Sequence, residues 1–212
     1  MALKVLGISA SPREGGNTDV LLGEALAGAE AAGARVDRVD LRNLVIAPCV
    51  ECNACARTGV CCVQDDYQKV FAKMMEADRL VFATPIFFMG VSAQGKLLID
   101  RCNCLWARKY VLKVPLFPEG ARQRRALVIA IGGSKSRKMF ESVGLTMKYY
   151  LDAAGFDYFG NLFVNQIDAR GDIRRLPVAL AEARRLGGLL ASAGPLSPKP
   201  LTVELSGSPA AP

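Results

Sequence analysis

The chain contains no histidine. That absence excludes Ser-His-Asp and Cys-His catalysis and every imidazole-ligated metal site. Chemistry must come from cysteines, carboxylates, amines or a bound cofactor. Long apolar runs are missing too: none reaches the ~18–20 residues that a membrane span needs, so no membrane association is expected. The opening Met-Ala-Leu-Lys-Val passes straight into a strand-like run. It has neither the apolar core of a signal peptide nor the Arg/Ser richness of a transit peptide, and a cytoplasmic protein is expected. Internal repeats are absent.

Acidic charge is in deficit, with 27 Lys and Arg against 20 Asp and Glu. Much of the surplus is local: Arg108, Lys109, Lys113, Arg122, Arg124 and Arg125 face only Glu119 between Trp106 and Arg125. Such a stretch suits an acidic partner or a phosphorylated cofactor, and a solvated face is the plainer account. Arg122, Arg124 and Arg125 lack interleaved aromatics, so nucleic acid is not an expected partner.

What the chain does have is 212 residues, 51% of them hydrophobic, enough for one sizeable core. Leu3 to Ser9, Arg35 to Leu41, Arg79 to Ala83, Ala126 to Ile131 and a run from Gly155 through Val164 read as strands. Asn17 to Ala32, Asp66 to Ala77, Ser92 to Trp106, Lys138 to Ala154 and Leu176 to Ala193 read as helices. Five alternations predict a parallel α/β sheet covered on both faces, in order 2-1-3-4-5. Residues 1–193 form the domain, with a Cys-rich insertion at 48–65. Residues 194–212, with five prolines and little to bury, read as a loose tail.

Open parallel sheets bind ligands beyond the carboxyl ends of their strands. The loop after the first strand runs Ser9-Ala10-Ser11-Pro12-Arg13-Glu14-Gly15-Gly16-Asn17-Thr18. Hydroxyls, glycines and an arginine before a helix N-terminus suit a phosphate dianion. The Gly-Lys-Ser/Thr ending of a nucleotide-hydrolysing P-loop is missing, and so is Gly-x-Gly-x-x-Gly. A plain strand-to-helix turn with a capping asparagine is the competing reading.

Five of seven cysteines crowd one segment, as Cys49-x2-Cys52-x2-Cys55-x5-Cys61 followed directly by Cys62. Thiolates at spacing three can converge on one iron–sulfur cubane, with a fourth from downstream. Zinc is a rival, although its knuckles usually lie a dozen or more residues apart. Thiols without metal are the third reading. Cys102 and Cys104 read as interior residues.

Taken together, these pieces resemble the NADPH-dependent FMN reductase-like family, and within it the iron–sulfur flavoproteins. The resemblance is carried by Ser11-Pro12-Arg13, Gly16-Asn17-Thr18, Pro48-Cys49 to Asp66, Ala83 to Gly90, Lys96 to Arg101 and Gly132-Gly133. It covers about residues 3 to 165 and implies a flavodoxin-like sheet binding FMN. Ser9, Ser11, Arg13, Gly16, Asn17 and Thr18 would then hold the phosphate. Pro85, Ile86, Phe87, Phe88, Met89 and Gly90 would run beside the ring and ribityl chain, and Gly132 and Gly133 would approach the flavin's other edge. If the resemblance fails, Phe87, Phe88 and Met89 are core residues.

It further implies flavin-borne chemistry with no catalytic side chain. NAD(P)H or reduced ferredoxin would be the electron donor, and a homodimer or homotetramer the assembly. Cys49, Cys52, Cys55 and Cys61 match the spacing of the 4Fe–4S ligands, and adjacent Cys62 leaves the fourth ligand open. A non-enzymatic flavin or Fe–S redox sensor or carrier is the alternative function.

Overall fold

The computed structural model describes residues 2–192, 197 and 199–207. Its strands are β1 (Lys4–Ser9), β2 (Arg35–Asp40), β3 (Arg79–Phe87), β4 (Gly90–Val91), β5 (Arg125–Ile131), β6 (Asp157–Asn165) and β7 (Leu201–Ser206). The helices are α1 (Asn17–Ala31), α2 (Cys55–Thr58), α3 (Tyr67–Glu76), α4 (Ala93–Arg101), α5 (Asn103–Trp106), α6 (Lys138–Ala153) and α7 (Pro177–Ala191). Six strands pair in parallel in the order β2-β1-β3-β5-β6-β7, and β4 folds back antiparallel on β3.

The first five parallel strands keep the expected 2-1-3-4-5 order. Adjacent residues serve opposite faces: Leu6, Leu80 and Val128 pack on the α3, α4 and α6 side, while Val5, Val81 and Leu127 pack under α1 and α7. Both sides are therefore sealed. α1 and α7 touch backbone to backbone, because a Cβ at Gly28 would stand 1.9 Å from Arg184 O.

Three expectations need correction. The sheet has a sixth parallel strand inside the segment read as a tail. Leu201, Val203 and Leu205 alternate with polar residues, and β6 still has a free edge for β7 to pair. Asn161 Nδ2 donates to Thr202 Oγ1 at 3.0 Å, and Arg137 pairs with Glu204. Residues 194–196, 198 and 208–212 of that segment lie outside the described residues.

The helix expected from Ser92 to Trp106 pivots at Cys102 and continues past Trp106 as a wide turn over Ala107–Val111. The basic stretch, finally, is not one solvated face. Arg124 is buried between the Phe117 and Phe156 rings, 4.1 and 3.7 Å from their centroids, and donates to the carbonyls of Met74, Ala77 and Ala154. Arg125 is buried beside it. Burial pulls the Arg124 guanidinium down to about 10, so its charge is held by carbonyls and rings rather than water.

Candidate functional site at the carboxyl edge

One cleft opens beyond the carboxyl ends of β1, β3, β5 and β6. Residues 11–13 and 16–18 form one wall, 85–87 and 131–133 line it, and Ile167, Asp168 and Arg170 complete it. Three of these segments were expected from sequence. The fourth, after β6, was not.

Asp19, which carries no local sequence signal for such a role, organises the first loop from below. Its carboxylate accepts from Ser9 Oγ at 2.6 Å and from Gly15 N at 2.8 Å, and it meets Arg38 and Arg42 at 3.0 and 3.1 Å. Gly15 takes a left-handed φ of +62°, which a side chain would resist. Ser9 is fully buried against Asp19 and does not line the cleft. Ser11 Oγ caps the turn, accepting from Arg13 N at 3.2 Å and donating to Arg13 O at 3.1 Å.

Gly16 precedes α1, and the first intrahelical bond is Val20 N to Gly16 O at 3.1 Å. The N–H groups of Asn17, Thr18 and Asp19 therefore stand ahead of the helix ladder, at its positive end. Asn17 uses its side chain elsewhere. Nδ2 donates to Ala169 O at 2.9 Å, and Oδ1 accepts from Gly171 N at 3.0 Å and Ile173 N at 3.2 Å. It clasps the loop after β6 to the first loop, where the sequence suggested a phosphate contact. Arg13 Nη1 reaches Asp168 O at 3.3 Å. Among the described residues, neither Arg13 nor Arg170 pairs with a carboxylate.

The second wall differs from the expected loop. β3 runs on through Pro85 and Ile86 to Phe87, and only Phe88 and Met89 turn, with φ of +46° and +63°. Two consecutive left-handed residues make a tight hairpin usually built from Asn-Gly, here made of bulky side chains. Phe88 is fully exposed and Phe87 and Met89 nearly half so. They are not core. Phe87 borders the cleft with Pro85 and Ile86, whereas Phe88, Met89 and Gly90 stand outside it. Ser92, another unforeseen support, ties this hairpin to the first loop. Its Oγ donates to Ala10 O at 2.6 Å, and its N–H reaches Thr84 Oγ1 at 3.1 Å.

Gly132 and Gly133 are small for visible reasons. A Cβ on Gly132 would stand 2.7 Å from Met139 Sδ, and one on Gly133 would stand 3.1 Å from Asp168 Cβ.

The cysteine segment leaves the same carboxyl edge, after β2, and is closed at its neck. Asp65 Oδ2 accepts from Ala47 N at 2.9 Å and from Arg101 Nη1 at 2.6 Å, while Arg101 Nη2 donates to Val63 O at 2.9 Å. Cys55 and Cys61 are half-buried and pack on the core, whereas Cys49, Cys52 and Cys62 are exposed. Burial pushes the Cys55 thiol up, and nearby Cys49, Cys61 and Cys52 add to that. Cys52 and Cys62 touch, Sγ to Sγ, at 3.5 Å. The Ala54 N–H and Cys62 hold the Cys52 thiol below its ordinary range, and the same contact raises Cys62. Beneath them Tyr67 Oη meets Cys104 Sγ at 3.1 Å, and Cys102 and Cys104 are interior. Among the described residues no three His, Cys, Asp or Glu side chains stand in a metal-holding arrangement.

A doubly wound parallel sheet in this order, with a cleft at its carboxyl edge beside the N-terminus of α1, defines a flavodoxin-like α/β protein. The chain belongs to the NADPH-dependent FMN reductase family, whose pattern matches residues 3–141. An iron-sulfur flavoprotein of Methanocaldococcus jannaschii is 31% identical over 193 residues, 87% of this chain and 94% of that one. YwqN of Bacillus subtilis, whose name describes an NAD(P)H-dependent FMN-containing oxidoreductase, is 32% identical over 87% of this chain and 96% of its own.

Among solved structures, the Trp repressor binding protein of Bacillus subtilis is 30% identical with a TM-score of 0.60, covering 86% of this chain and 99% of that one. An NAD(P)H:quinone oxidoreductase from Methanothermobacter marburgensis shares the fold at a TM-score of 0.72 and 18% identity, covering 93% and 100%. The chain is thus an FMN-dependent oxidoreductase by family. None of its described helices is long and apolar enough to cross a membrane.

Proposed function

We propose that this chain moves electrons between NAD(P)H or a ferredoxin and a second acceptor, with FMN in the edge cleft and a 4Fe–4S cluster in the cysteine segment. The observation that carries the reading is the cleft itself, in which a phosphate-type loop, two crowded glycines and the end of β3 converge. The N–H groups of Asn17 and Thr18, with Ser11, Thr18 and the guanidinium of Arg13, would hold the phosphate. Pro85 to Phe87 and the backbone of Gly132 and Gly133 would flank the ring. FMN, when bound, supplies hydride uptake and single-electron release, so the chain provides placement and electrostatics rather than a side-chain base.

Cys49, Cys52, Cys55 and Cys61 would ligate the cluster. The donor set fits in type and spacing, being all thiol on one short segment. The name of the Methanocaldococcus jannaschii relative points the same way. Exposed Phe87, Phe88 and Met89 beside the cleft support assembly as a homodimer or homotetramer, with a second copy covering them.

Anaerobically purified protein, assayed for flavin, iron and sulfide, tests the reading together with steady-state NAD(P)H oxidation. Cys55→Ala is expected to remove iron and sulfide while leaving FMN bound, since the cleft residues lie on other loops. Flavin without iron in the parent would reduce the function to a plain FMN reductase. Both cofactors without NAD(P)H turnover would favour a sensor or carrier.

A further inference from the structure

The segment carries five thiols where a cubane cluster takes four ligands. Cys55 and Cys61 face inward against the core. Cys62 faces outward, and its sulfur lies 3.5 Å from that of Cys52, with both residues exposed. Glu51 and Asn53, on either side of Cys52, both take left-handed φ, +52° and +57°. The backbone on both sides of Cys52 is thus fixed in an unusual conformation, and its side chain meets Cys62. Left-handed non-glycine residues on both sides of one cysteine mark a defined geometry.

We propose that Cys52 and Cys62 are a thiol pair that hydroperoxides oxidise to a disulfide, withdrawing Cys52 from metal ligation. One thiolate attacks the O–O bond, taking up oxygen as a sulfenic acid and releasing an alcohol, or water from hydrogen peroxide. The second thiol then displaces water from the sulfenic acid, and the sulfur–sulfur bond forms. Two thiols lose two electrons and two protons in all, and the hydroperoxide becomes alcohol and water. A dithiol reductant reverses the change. Exposure of both residues makes the pair accessible to oxidant and reductant alike, more so than the half-buried Cys55 and Cys61. The consequence for ligation rests on the cluster reading above, while the pairing does not.

The test uses the full chain with metal removed, kept reduced and then treated with stoichiometric hydrogen peroxide. Peptide mapping without reduction is expected to show Cys52 joined to Cys62, lighter by two hydrogens, and alkylation of both is expected to return after dithiothreitol. Iron and sulfide reconstitution should fall several-fold in the oxidised parent and recover on reduction. Cys62→Ser should reconstitute equally well before and after peroxide.

A disulfide through Cys61, or none at all, would overturn the pairing. Loss of iron uptake in reduced Cys62→Ser would also overturn the proposal, by making Cys62 a ligand. If the reduced parent takes up no iron, the cluster reading fails with the consequence drawn from it, and the peptide map alone decides the pair.

Discussion

Arg101 Nη1 stands 2.6 Å from Asp65 Oδ2, an ion pair at the neck of the cysteine segment. The guanidinium is wholly buried, lies 4.7 Å from the centroid of the Tyr67 ring and also holds the carbonyls of Ala47 and Val63. Both strands of the neck are thus tied to α4, which packs on the sheet. The thiols are presented by a closed loop on a rigid base.

Asp65→Asn is expected to cost about 2 kcal/mol, the scale of a hydrogen bond to a charged partner. Burial raises the Asp65 carboxyl, but Arg101 and the N–H groups of Ala47 and Tyr67 outweigh it and leave it below the usual range. The folded carboxyl is therefore the stronger acid. Its contribution is complete above the ordinary carboxylate range near pH ~4 and is lost as pH falls through the folded value. Urea denaturation of parent and variant should show their difference narrowing below that pH. A difference that widens in acid would contradict this account.

Asn17→Ala should loosen the loop after β6 rather than remove a phosphate contact. Its Oδ1 accepts from the N–H groups of Gly171 and Ile173, so hydrogen exchange at those two amides is expected to accelerate. Unchanged protection there would show that the loop is held by other contacts.

The hairpin at Phe88 and Met89 trades stability for an exposed apolar tip. Replacing the pair with Asn-Gly, which suits two left-handed positions, should stabilise the fold by about 1–2 kcal/mol. The same double variant should weaken self-association, measured by light scattering across concentration. A destabilised variant with unchanged assembly would mean that the aromatic turn is neither strained nor an interface.

Most of the sheet was legible because β1, β3 and β5 are buried on both faces and read as unbroken apolar runs. Edge strand β7 was missed because its flanking prolines and polar alternate residues resemble a solvated tail, although Leu201, Val203 and Leu205 carry the period-two signal. That the first loop and Gly132-Gly133 meet at the carboxyl edge could be expected from local composition. Asp19, Ser92 and the loop around Asp168 and Arg170 could not, since their roles are set by contacts up to 156 residues apart, such as Asn17 with Ile173. Asn17 itself shows the limit. A residue type that suits phosphate binding suits loop bracing equally well, and only its partners distinguish the two.

The central claim is that the cleft holds FMN by its phosphate at the start of α1, and Arg13 tests it most directly. A charge-assisted bond contributes on the order of 1.5–3 kcal/mol, and each 1.4 kcal/mol is about tenfold in affinity. Arg13→Ala, titrated by flavin fluorescence quenching, is therefore expected to weaken FMN binding by about tenfold or more. Riboflavin, which lacks the phosphate, should bind parent and variant alike. Equal FMN affinity in a folded variant, or an equal loss for both flavins, would contradict the assignment.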